Sequence, residues 1–291
     1  MTPPRSWADA LSLARGRALR PARDALRDAV TAAHADTLIL PFVAWARALH
    51  ARAAGPIVLG VSGPQGGGKS TLAAHAVEAL GAQGLRAITL SIDDVYLPRD
   101  AQRALAARHP GNPYLAVRGA PGTHDVDLGG ALLDALRARG AVTLPRYDKG
   151  AFDGEGDRAP PSAWRTVEAP FDVVVFEGWM LGFTPSPRLD RVPHLGAVNG
   201  LLRAYDAWTA RLDGLLHLDV DDLERVVRWR VESEQRRRAA EGRGLSDAGA
   251  EAYIRRFLPL YRAYLPGLRA DGLEGRPTLR VALGADRLPR P

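Results

Sequence analysis

The chain has 291 residues, 46% hydrophobic and 25% charged, with 39 Lys and Arg against 33 Asp and Glu for a formal net charge of +6. This length allows one large domain with appendages, the absence of Cys excludes disulfides, thiolate metal sites and thiol nucleophiles, and no apolar run approaches the roughly 20 residues of a membrane span. The positive charge is dispersed over Arg-rich faces, dense only at Arg236-Arg237-Arg238, so neither a nucleic acid nor a membrane is expected as a partner.

Residues 6 to 53 read as two or three amphipathic helices, with Leu11, Leu19, Leu26, Val30, Leu38 and Val43 near helical spacing and Pro21 and Pro41 as breakers. No catalytic signature falls there. Arg5, Asp9, Arg15 and Arg17, without an apolar core, are unlike a secretory leader and make the cytoplasm the expected location. Ile57 to Val61 is a short apolar run suited to a central parallel strand, and a helix follows from about Lys69. Residues 87 to 92 read as a strand, 127 to 139 as a helix, 146 to 170 as an aperiodic functional loop and 171 to 176 as a strand. Further on, 215 to 220 is a strand, 222 to 241 and 247 to 264 are helices, and 278 to 283 is a last strand. Alternating strands and helices imply an α/β fold with helices on both sheet faces and ligands at the carboxyl ends of the strands.

Gly63-Pro64-Gln65-Gly66-Gly67-Gly68-Lys69-Ser70 matches GxxxxGK[ST] in full, between a strand and a helix. The expected architecture is therefore a P-loop NTPase, three layers α/β/α around a mostly parallel sheet, with a helical extension at 1–54 and a core domain at 55–291. Backbone amides of Gly63, Gln65, Gly66, Gly67 and Gly68, with Thr71 beyond them, would cradle nucleotide phosphates. Lys69 would reach the β- and γ-phosphates, and Ser70 would ligate Mg²⁺. Asp93 and Asp94 follow one predicted strand and Glu177 another, so all three emerge where a γ-phosphate would lie. Asp93 is the expected base and Glu177 the metal-side acid, both beside Mg²⁺; Asp94 either faces the acceptor or caps a turn. A guanine-reading Asn-Lys-x-Asp stretch is absent.

With Ser91-Ile92-Asp93-Asp94-Val95-Tyr96-Leu97, Pro145-Arg146-Tyr147-Asp148-Lys149 and Phe176-Glu177-Gly178-Trp179 added to the glycine loop, the chain resembles the D-glycerate 3-kinase family from about residue 55 to 285. That family lies within the P-loop kinases that include uridine kinase, phosphoribulokinase and pantothenate kinase. The resemblance implies transfer of the ATP γ-phosphate to the 3-hydroxyl of D-glycerate. The chain departs from the family pattern at Val95, Asp148 and Phe152-Asp153.

A carboxylated acceptor calls for a guanidinium or ammonium, and Arg118, Arg146, Lys149 and Arg158 are the candidates. His124, Tyr96 and Tyr147 could offer hydrogen bonds or merely pack. Arg225 and Arg228, three apart on one helix, share a face; the resemblance makes the region at about 221–245 a helical lid whose Arg, Arg228 above all, stabilises charge on the transferred phosphoryl group. Two other readings stay open: a kinase for another small alcohol, such as a nucleoside, pantothenate or a sugar derivative, and a nucleotide-dependent regulatory module.

Overall fold

The structure, a computed structural model, describes residues 3–27, 29–242 and 244–290; Arg243, within the expected lid, lies outside the described residues. The chain begins with helices α1 (Trp7–Ala14), α2 (Arg20–Ala25), α3 (Ala32–His34) and α4 (Leu40–His50). Ser6 and Asp9 form a reciprocal capping box that starts α1. The two prolines open helices rather than break them. Pro21 and Pro41 occupy first-turn positions of α2 and α4, where a missing N–H costs little, and α3 runs into α4 through a π-helical turn at Ala35–Ile39.

The central sheet takes strands β1 (Ile57–Ser62) and β2 (Ala87–Ser91), with helix α5 (Lys69–Gly81) between them. After α6 (Arg99–Arg108) and α7 (Val126–Arg137) come four strands outside it, β3 (Gly140–Leu144), β4 (Tyr147–Asp148), β5 (Asp157–Arg158) and β6 (Arg165–Ala169). Then follow β7 (Val173–Gly178), α8 (Leu195–Leu202), α9 (Asp206–Thr209), β8 (Gly214–Asp219), α10 (Leu223–Glu241), α11 (Asp247–Arg255), α12 (Leu258–Asp271) and β9 (Thr278–Ala282). The five-stranded sheet has the order β2-β7-β1-β8-β9, and every pairing in it is parallel. All six positions of β1, β7 and β8 are buried, as expected of inner strands covered on both faces.

Alternation along each strand sorts side chains between the two helical layers. On β8, the absent side chain of Gly214 admits the Trp45 ring of α4, while Leu215 points to the other face, toward Leu268 of α12. On β7, Glu177 faces α5, and its neighbour Phe176 packs edge-on against Trp208 of α9 at 5.3 Å on the opposite face. Trp45 is 0% exposed, so truncating it to Ala would cost about 3–5 kcal/mol. Among the described residues no helix is long and apolar enough to cross a membrane.

Two segments differ from expectation. Residues 146 to 170 are not structureless: β4 pairs antiparallel with β5, and β6 pairs antiparallel with β3. These ladders are short, and the turns between them lack alternation, so periodicity does not reveal them. The single helix expected at 247 to 264 is two, because Pro259 in the first turn of α12 cannot continue the hydrogen bonding of α11.

Candidate active site

The glycine loop joins the end of β1 to the start of α5. Gly66 and Gly68 sit at φ 74° and 91°, the left-handed region. A Cβ on Gly66 would also meet the Trp229 carbonyl oxygen at 2.6 Å, so α10 closes directly over the loop. Lys69 is 9% exposed, and its Nζ donates to the Pro64 carbonyl at 3.1 Å. Burial lowers its pKa, opposed by Glu177 and Asp93. Removed from water, that ammonium is poised for an anion. Ser70 Oγ donates to Glu177 Oε1 at 2.7 Å, joining the loop to the end of β7.

Gln65 does not behave as a phosphate ligand. Its N–H donates to the Tyr261 hydroxyl at 3.1 Å, and that hydroxyl donates back to Gln65 Oε1. Both functional groups are held by α12, a clamp that the motif does not encode.

At the end of β2 a tight turn, Ile92–Val95, presents the paired aspartates. Ser91 Oγ accepts from the Asp93 N–H at 3.2 Å, and Asp94 Oδ2 accepts from the Ser91 N–H at 3.0 Å, so Asp94 makes the cap. Asp94 also lines the acid cavity. Burial, with Asp93 and Glu177 nearby, raises its pKa to about 6. Asp93 forms an ion pair with Lys149. Burial by itself would raise the Asp93 pKa, but the Lys149 ammonium and the Tyr96 hydroxyl reverse this and hold it well below the usual carboxylate range. The same contact raises the Lys149 pKa. Ser70, Asp93, Asp94, Arg146, Tyr147, Lys149 and Glu177 line one cavity of about 390 Å³.

Tyr96 stacks on His124 with ring centroids 4.4 Å apart and meets Tyr147 edge-on at 5.2 Å. His124 is buried, and desolvation lowers its pKa to about 3, against a smaller contrary effect of Asp93, so the ring is neutral. The Tyr205 hydroxyl, which accepts from the Gly122 N–H at 2.8 Å, lies 2.8 Å from His124 Nδ1 and is placed to donate to it. That tautomer leaves the proton on Nε2, a buried atom with no partner in the fold.

Arg118 and Arg158 are engaged in structure. Arg118 Nη1 donates to the carbonyls of Gly154, at 2.7 Å, and Glu155, while its Nη2 donates to that of Lys149 at 3.2 Å, shaping the 149–156 loop. Arg158 Nη2 donates to the Tyr96 carbonyl and Asp125 Oδ2, each at 3.0 Å. Of the departures from the family pattern, Asp148 accepts from the Gly150 N–H at 2.8 Å and Asp153 lines a second, larger cleft.

That cleft, about 670 Å³, lies between the 149–156 loop and the face of α10 that carries Arg230, Glu234 and Arg237, with Tyr253 and Arg256 from the region of α11. Lys149 borders both spaces and so forms the threshold between them. Arg230 pairs with the buried Glu234 and lies 5.1 Å from the Tyr253 ring centroid. These residues carry no motif and were not among the expected site residues; the only sequence signal was the basic run on the same helix.

Arg225 and Arg228 are not brought to either cleft. Arg225 Nη1 donates to Asp221 Oδ1 at 2.6 Å and to the Leu283 carbonyl at 3.2 Å; Arg228 is exposed and pairs with Asp222 at 3.4 Å. Helical phase explains Arg228, and position along the helix axis explains Arg225. Trp229, Ser233 and Arg236 fall on the face that meets the glycine loop; Arg228 is about 100° off it, and Arg225 lies about three turns before Arg236. Arg236 borders the far side of the loop instead.

No family model matches the chain. Over 235 residues it is 40% identical to the chloroplastic D-glycerate 3-kinase of Arabidopsis thaliana, a match covering 78% of this chain and 51% of that protein, so the chain spans about half the length of that relative. It is 34% identical over 251 residues to an uncharacterized kinase of Schizosaccharomyces pombe, covering 80% of this chain and 90% of the relative. Among solved structures, D-glycerate 3-kinase from Cryptococcus neoformans superposes with a TM-score of 0.79 at 30% identity, over 87% of this chain and 98% of that one. The chain belongs to the D-glycerate 3-kinase family of P-loop kinases.

Proposed function

We propose that the protein phosphorylates D-glycerate at its 3-hydroxyl with ATP, giving 3-phosphoglycerate and ADP. The observation that carries this reading is the Lys149–Asp93 ion pair at the threshold between the larger cleft and the acid cavity. A carboxylated acceptor draws the Lys149 ammonium onto its own anion, and Asp93, freed of that partner while still partly shielded from water, becomes a stronger base. A neutral alcohol leaves the pair closed. The acceptor oxygen attacks the γ-phosphorus, the bond to the β–γ bridging oxygen breaks, and the proton passes to Asp93. Lys69 balances charge on the phosphates.

Mg²⁺ suits the residues present. Ser70 Oγ and Glu177 Oε1 are hard oxygen donors 2.7 Å apart, and among the described residues no cluster of three or more His, Cys, Asp or Glu forms a metal cage. The ion would take most of its coordination from phosphate and water, as Mg²⁺ does at nucleotide sites. Bound there it would neutralise charge on the transferred group. Arg158, Arg225, Arg228 and Gln65 are left as structural groups, whereas Arg118 also borders the larger cleft.

A coupled assay with D-glycerate, uridine and pantothenate, followed by mass and regiochemical analysis of the product, tests the proposal. A marked preference for D-glycerate with phosphate on its 3-oxygen is expected. Equal turnover of a neutral alcohol would overturn it.

A further inference from the structure

We propose that the nucleoside end of ATP is held between the glycine loop and the N-terminal helical segment 30–39, so that this segment, which carries no motif, selects an adenine-type base. The inference rests on the nucleotide-binding reading of the loop and extends it to residues outside any recognised signature.

The glycine loop separates two spaces. On one side lies the acid cavity with Asp93 and Glu177; on the other lies a cleft of about 520 Å³ bordered by Gly66 to Leu72, with Ser70 common to both. Transfer requires the γ-phosphate on the acid side, so a triphosphate threaded along the loop projects its nucleoside to the opposite side. The cleft there falls within the roughly 300–1,000 Å³ typical of small-molecule sites.

Its walls have the chemistry of a purine site. Val30, Leu38 and Ile39 give an apolar surface, the latter two 4% and 2% exposed and therefore held by the core. Thr31 and His34 form a polar edge, with His34 Nδ1 fixed 2.8 Å from Thr31 Oγ1. Across the cleft, Arg287 is locked in place: its Nε donates to the Gly66 carbonyl at 2.8 Å, its guanidinium lies 5.4 Å from the Trp229 ring centroid, and its backbone holds φ 65°. A non-glycine residue in that conformation persists only where its surroundings enforce it. Among the described residues bordering the cleft there is no Asp or Glu. The ring N–H and amino group of guanine would therefore find no carboxylate, whereas the amino group and ring nitrogen of adenine suit neutral hydroxyl and imidazole partners. The π-helical turn at Ala35–Ile39 lies within this wall, and such turns concentrate at functional sites.

The test is calorimetric titration of the whole chain, without acceptor, using ADP and separately inorganic tripolyphosphate, which engages the loop but has no base. Val30 and His34 are both only partly buried, so Val30→Trp and His34→Ala are compatible with folding, which a thermal melt checks. Val30→Trp is expected to weaken ADP at least about tenfold and His34→Ala severalfold, both leaving tripolyphosphate within about twofold; the parent binds ADP more tightly than GDP. Unchanged ADP affinity in both variants, or equal weakening of ADP and tripolyphosphate, overturns the inference. A parent that binds neither probe overturns the nucleotide reading itself. Because no acceptor is present, failure of D-glycerate as substrate leaves this result untouched.

Discussion

The two sides of the glycine loop are built on opposite principles. On the acid side nearly every functional group touches another: Ser70 with Glu177, Asp93 with Lys149, Asp94 with the Ser91 N–H, Tyr96 with His124. Of these groups the acids Asp93, Asp94 and Glu177 stand at the ends of β2 and β7, where the sheet fixes their spacing, and the others reach them from α5 and neighbouring loops. On the far side the wall is apolar surface from helices that pack against α5, with two arginines at its rim. Moving charge demands preorganised dipoles at fixed positions, whereas gripping a base asks for a shape of the right size that any well-packed element can supply. The first kind of side leaves motifs; the second leaves only burial.

The comparison breaks most sharply at Asp93. Asp93→Asn should cut kcat by about 10²–10⁴ while leaving ADP affinity unchanged, and calorimetry beside steady-state kinetics checks both. Loss of ADP binding instead would mean that the two sides are not separable. Lys149→Gln is next: KM for D-glycerate should rise about tenfold or more, with KM for ATP unmoved. It should also move the acid limb of the kcat/KM profile to higher pH. With Lys149 gone, burial raises the Asp93 pKa against the Tyr96 hydroxyl alone as the main remaining opposition, and a base is lost once it is protonated.

The arginines of α10 sharpen the far side. Arg236→Ala should raise KM for ATP severalfold, whereas Arg228→Ala should change it by less than about twofold, since Arg228 is exposed, pairs with Asp222 and does not border the cleft. The smallest effect concerns stability. Asp94 has a folded pKa of about 6 against a model-peptide value of 3.8, so the native state binds the extra proton between those limits. Its contribution is fully present below the lower value and lost as pH rises through the upper one. Asp94→Asn keeps an acceptor for the Ser91 N–H, so its Tm should match the parent near pH 4 and exceed it by a few degrees at pH 7, read by thermal melts across that range. A constant difference at all pH values would separate the stability effect from that titration.

Much of the acid side was legible before any coordinates. The glycine run between an apolar strand and a helix, and acids directly after two further apolar strands, leave few arrangements in a parallel sheet, because all strand ends with one polarity lie along one rim. Lys149 was visible as a loop cation but not as the partner of Asp93, since 56 residues separate them and Lys149 stands just after the two-residue strand β4, too short for periodicity to show. Arg225 and Arg228 misled because spacing states which residues share a helix face but not where that face points; Asp221, Asp222 and the Leu283 carbonyl decide that.

By itself the sequence determined the sheet, the phosphate loop and the acids at its rim, because local pattern and strand polarity act over a few residues. The tertiary structure alone decided which cations turn inward, that Tyr261 holds Gln65 and that residues 30–39 wall the far cleft. Those outcomes depend on contacts such as the one spanning 196 residues between Gln65 and Tyr261, and side chains that meet across such distances share no local pattern from which the meeting could be read.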